Sequence, residues 1–293
     1  MFVVPSKTEG PAMKFSHLLL TDVRDGFSSI ARWLAISAVI MLILVMLFGF
    51  SALGSGIDPN QLTLGDYIGS LVGGMAIFHP EANMPFILPI KWLLIVFMML
   101  FVPLNYPYRS MMGFGLHEMI ASGGRLRWWL SKCLWLGLYA LAFWSCILLV
   151  SSIATVVFSS SFDLTVTQEG GNLLLYDTWD YVAHQSALGI AAFLVIAVLV
   201  SWALCLIQLA LALWVRSVLG YAVNVALLFS SAFFFNAALP GQYLMVARSS
   251  LVINSGVPPH WGAYLALAIG LCSALVGGWR FFRMDIIDKE FSS

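Results

Sequence analysis

Apolar residues gather into six long runs along this chain, at 33–53, 86–104, 128–158, 187–215, 218–239 and 261–279. A helix rises 1.5 Å per residue, so about 20 consecutive apolar residues cross a bilayer, and each run predicts one crossing. Pro89 and Pro103 leave the ends of the second run ill defined. The third and fourth runs exceed a straight crossing, so they tilt or project into water. Residues 13–34 follow a different pattern. Phe15, Leu19, Val23, Phe27, Ile30 and Leu34 recur every three or four positions, with Asp22, Arg24, Asp25, Ser28 and Arg32 between them. That spacing predicts an amphipathic helix lying in the membrane interface. In the segment 240–259 the core, 243–253, is apolar but too short to cross. It predicts a re-entrant or surface half-helix, tolerable where its backbone is buried in protein or faces water. The expected fold is all-α: one polytopic domain over 1–293, with no repeat and no low-complexity tract.

Composition decides the class. The chain is 61% hydrophobic and 10% charged, against about a quarter charged in soluble domains. Too few charges remain to coat a water-facing surface, and the mean hydropathy of +0.93 agrees. Balanced charge argues against a nucleic-acid partner. Orientation follows from Lys and Arg. Lys7, Lys14, Arg24, Arg32, Arg109, Arg125, Arg127, Lys132, Arg216, Arg280, Arg283 and Lys289 fall on one side of the six runs, and only Lys91 and Arg248 on the other. Acidic residues divide seven and seven, so the bias is specifically basic. The positive-inside rule then places both termini in the cytoplasm of a multi-pass cell-membrane protein. Residues 1–26 carry no cleavable apolar core, so no signal peptide is read there. Cys133, Cys146, Cys205 and Cys272 all lie in apolar runs and read as packing residues.

Chemistry-bearing motifs are sparse. No Gly-x4-Gly-Lys-Ser/Thr loop is present, so the chain has no nucleotide site of its own. Asp25-Gly26 with Ala31-Arg32 has the wrong spacing for a phosphotransferase metal site, and no third ligand accompanies His79 and Glu81. Ionisable residues are nearly absent from the runs, which argues against an ion-coupled carrier. Gln208, Asn224 and Asn236 are polar exceptions, readable as interhelical hydrogen-bonding groups. Alternatively they line an amphiphile cavity walled by Phe233, Phe234 and Phe235. Gly262, Gly270 and Gly277 suit close helix packing.

The connection between the second and third runs is the most distinctive stretch. After Tyr106-Pro107 it reads GFGLHEMIASGGRLRWWLSK over 113–132. A turn precedes a short helix at 115–121, a Gly-Gly break follows, and Arg127-Trp128-Trp129 meets the membrane, where Trp is favoured. Gly113, Gly115, Ser122, Gly123, Arg125, Trp128, Trp129, Leu130, Ser131 and Lys132 together resemble the first cytoplasmic loop of bacterial ABC-2-type transporter permeases. That resemblance implies a coupling helix within 110–127 that docks on a separate ATP-binding subunit. Leu116, His117, Glu118, Ile120 and Arg125 would make the contact, with Trp128 and Trp129 as interface anchors. It also implies a second permease chain, identical or related, and ATP with Mg held by the partner ATPase. No cofactor is expected in this chain, and no enzymatic activity. Export of a drug, peptide or lipid is the function implied, with Gln208, Asn224, Phe234 and Asn236 as cavity residues. A non-transporting membrane module, serving in assembly, sensing or immunity, is the alternative.

Overall fold

A computed structural model describes residues 15–75, 77, 88–104, 106, 124–173 and 187–284. Its helices are α1 (Phe15–Gly54), α2 (Leu64–Val72), α3 (Ile90–Phe101), α4 (Arg125–Val157), α5 (Gln168–Leu173), α6 (Ala187–Trp214), α7 (Ser217–Phe233) and α8 (Pro259–Arg283). Short 3-10 helices lie at Pro59–Gln61, Pro240–Leu244 and Val246–Arg248. Two isolated bridges, Thr63–Ser161 and Ser249–Val257, are the β pairing among these residues. Four helices are long and apolar enough to cross a membrane: α1, α4, α6 and α8. α3 and α7 are apolar but shorter, at 12 and 17 residues. The chain is therefore all-helical and built to sit in a membrane.

The N-terminal segment departs from the expected interface helix. It continues into the first apolar run as one helix of 40 residues, about 60 Å long. No proline interrupts 15–54, so nothing in the backbone forces a corner. The buried stripe also differs. Leu18, Asp22, Gly26 and Ile30 are buried, and the row continues through Ser37, Met41, Val45 and Phe48. Phe15, Leu19, Val23 and Phe27 only flank it. Asp22, assigned to the polar face by its chemistry, thus points into the protein. Gly26 is required there: a Cβ would lie 2.1 Å from the indole nitrogen of Trp135 on α4.

α3 ends where Pro103 removes a backbone donor. The carbonyl of Met99, four residues earlier, accepts instead from the Tyr139 hydroxyl of α4 at 2.7 Å. The Leu100 carbonyl accepts from Gln208 Nε2 of α6 at 3.2 Å. α6 packs along α8, and glycines permit the approach. A Cβ on Gly277 would lie 3.1 Å from Ala210 Cβ of α6, and one on Gly262 would lie 2.7 Å from Ile196 of α6.

At one end, α2 and α5 form a small cap. Thr63 and Asp66 make a reciprocal capping box at the start of α2. The Asp66 carboxylate also accepts from the backbone and hydroxyl of Thr167, each at 2.8 Å. The segments either side of α2 and α5 are thereby stitched together. The expected half-helix of 240–259 is instead two 3-10 turns. They are buried in protein. Arg248 from these turns is fully buried. It donates to the Ser231 and Ala232 carbonyls in the last turn of α7, at 2.6 and 2.7 Å, and to Gln242 Oε1.

Candidate functional site

The described residues on either side of 107–123 meet at one joint. Tyr106 closes the stretch after α3, and α4 opens at Arg125. From α4, Lys132 forms a salt bridge to Asp22 of α1, both side chains being buried. Ser131 donates a short hydrogen bond of 2.5 Å to the other carboxylate oxygen of Asp22. The Tyr106 hydroxyl donates to the Asp22 backbone carbonyl at 3.2 Å. The ammonium also lies 5.0 Å from the Tyr106 ring centre and 5.1 Å from that of Trp128, so two π faces share its charge. Tyr106 packs on Trp135 at 4.4 Å between ring centres. A buried charge pair holds only where its remaining donors and acceptors are satisfied. Here a hydroxyl and two rings supply that shell.

A second tie joins α4 to α8. Arg125 donates from one terminal nitrogen to the Phe282 and Met284 carbonyls at 2.8 and 3.1 Å. These are end carbonyls of a helix that lack an internal partner, and a cation suits that terminus. Trp128 and Trp129 stack on Phe281 with centroids 5.0 and 5.8 Å away. The Trp129 indole donates to the Ala274 carbonyl at 3.1 Å. Both indoles are buried and pack between α4 and α8. Leu116, His117, Glu118 and Ile120 lie outside the described residues.

The four cavity candidates do not converge. Gln208 serves the broken end of α3. Asn224 is fully buried and donates to the Leu204 carbonyl at 2.9 Å, binding α7 to α6. Both therefore take the interhelical hydrogen-bonding role. Phe234 is 60% exposed past the end of α7. Asn236 accepts from the Ala238 amide in a local turn. Gln208 keeps one unsatisfied oxygen beside a cavity of ≈ 10 Å³ lined by Pro103, Leu136, Cys205 and Leu209. That volume suits a single water. The four cysteines are free. Among the described residues no group of three or more His, Cys, Asp or Glu is placed to hold a metal.

The joint escaped sequence reasoning because Asp22 was read by its polarity. One signal was available: Leu18, Asp22, Gly26 and Ile30 share an exact-four spacing, and Ser131-Lys132 offers a charge of the right sign at the start of the third run. Arg248 was similarly read as an outer-loop charge, although it stands alone in an apolar stretch.

Four long apolar helices, with charges gathered at their ends, define a membrane-embedded helical protein. Comparison with protein-family models, curated proteins and solved structures gives no match.

Proposed function

We propose that the chain is the membrane subunit of an ATP-binding-cassette exporter of the ABC-2 permease type. In this reading α3 and α7 join the four long helices as the second and fifth of six crossings, and both termini are cytoplasmic. The observation that carries it is the joint at the base of 107–123. A segment resembling a coupling loop emerges between two anchored ends, and those ends are tied to α1 and α8 through Lys132–Asp22 and Arg125. A push on the loop then moves α1, α4 and α8 together. A separate ATPase holding ATP and Mg supplies the push, and it does so only where its nucleotide states contact the loop differently. In this reading a drug, peptide or lipid passes between two permease chains, identical or related.

Co-purification tests this. The native chain is expected to retain a partner that hydrolyses ATP and contains a P-loop peptide. Deleting 115–121, or Glu118→Ala, should release that partner while the chain stays membrane-inserted. A native chain carrying no ATPase sinks the proposal, and one carrying a bound lipid or peptide instead would favour the non-transporting module.

A further inference from the structure

At the same end of the bundle as Arg125, four side chains form a ladder that the coupling joint does not use. Trp214, at the end of α6, stacks on Trp279 of α8 with centroids 5.9 Å apart and planes 25° from parallel. Arg280 lies 5.1 Å above the Trp214 ring, and Arg283 lies 4.5 Å from the Trp279 ring. Both indoles are about half exposed, at 45% and 50%. Neither arginine has a carboxylate within salt-bridge reach among the described residues. The Arg280 Nε is shut off from solvent and has no acceptor among the described residues. Exposed Arg216 stands two residues after Trp214. Below the ladder, Leu267, Leu271 and Leu275 are exposed at 53%, 62% and 71%. With Trp279 and Arg283 they make one i, i+4 row along α8, apolar for its length and cationic at its end.

We propose that this row is a binding site for one anionic phospholipid, its acyl chain along Leu267–Leu271–Leu275 and its phosphate at Arg280 and Arg283. The occupant follows from charge and geometry. Indole rings favour the headgroup level. A guanidinium held over a ring keeps terminal N–H groups that can donate to phosphate oxygens. An apolar row leading to those donors matches an acyl chain joined to a phosphate, and a free anion has no use for it. The proposal requires only that the helices lie in a membrane, so it stands or falls apart from the transporter reading.

Native mass spectrometry of the full chain in neutral detergent tests it, titrating phosphatidylglycerol and phosphatidylcholine of equal chain length. The native chain is expected to hold its first phosphatidylglycerol about tenfold tighter than phosphatidylcholine, a preference that shrinks at high salt. Arg280→Gln with Arg283→Gln should abolish the preference. If that pair fails to fold, Arg283→Gln alone, at an exposed position, should cut it to about threefold. Lys91→Gln, at the opposite end, should leave it unchanged. Equal retention of the two lipids, or an unaltered preference in the arginine variants, overturns the site. Displacement of lipid by millimolar inorganic phosphate would assign it to a free anion and overturn it. A dimer that buries Trp279 would give the row to a second copy, with the same consequence.

Discussion

Lys132 and Asp22 depend on each other more than on their surroundings. Removing one buried partner strands the other charge, whereas replacing both with groups of similar shape is far milder. Lys132→Met is therefore expected to destabilise the chain by about 3–5 kcal/mol. Adding Asp22→Asn should recover most of that loss, as measured by denaturant unfolding in micelles. A double variant that loses the sum of the two single losses would mean that the pair is not coupled. Gln208 and Tyr139 answer the carbonyls left open by Pro103. Gln208→Leu or Tyr139→Phe leaves one buried carbonyl without a donor, a loss of about 1–3 kcal/mol. Asn236→Ala removes only an exposed local turn, and its stability should stay within about 0.5 kcal/mol of the parent in the same measurement.

Among the elements, the cap of α2 and α5 has a built-in pH response. Burial pushes the Asp66 carboxyl up from 3.8 to about 6, although Thr63 and Thr167 hydrogen bonds pull it down. The folded cap then holds this proton more tightly than the unfolded chain does. Its stability is highest below about pH 4, falls as pH rises to about 6, and is flat above. The 2-unit shift corresponds to about 3 kcal/mol. Hydrogen exchange of 62–70, corrected for intrinsic rates, should show weaker protection at pH 7 than at pH 4.5, and Asp66→Asn should flatten the difference. A pH-independent native cap would contradict the burial argument. How much of these elements was legible depends on the kind of signal. The long apolar runs mark α1, α4, α6 and α8 because length and hydropathy are local properties. The continuity of α1 was not legible, because amphipathic spacing describes one surface and says nothing of what packs on it. α4 covers Asp22 and Gly26, and only Lys132 and Trp135 of α4 explain why those residues are inside. The packing of Trp128 and Trp129 was not legible for a related reason: they stack on Phe281, over 150 residues away in the chain.

For the whole molecule, charge separates by end. Arg125, Lys132, Arg280 and Arg283 share one end, tied by the contacts of α1, α4 and α8. Asp66 and Arg248 share the other, where Ala247 donates its amide to the Gly73 carbonyl. In the proposed transporter, this arrangement is what would let a push on the segment 107–123 reach the helices, because the described residues that flank it, Tyr106 and Arg125, are tied to α1 and α8. The most direct measurement is site-specific photo-crosslinking in intact cells, with a crosslinking amino acid at Leu116 or Ile120. A covalent adduct to an ATP-hydrolysing subunit, its yield altered by trapping that subunit with ATP and vanadate, is the predicted result. No adduct to such a subunit, together with labelling of a cysteine at Leu116 by a membrane-impermeant reagent added outside the cells, would contradict it.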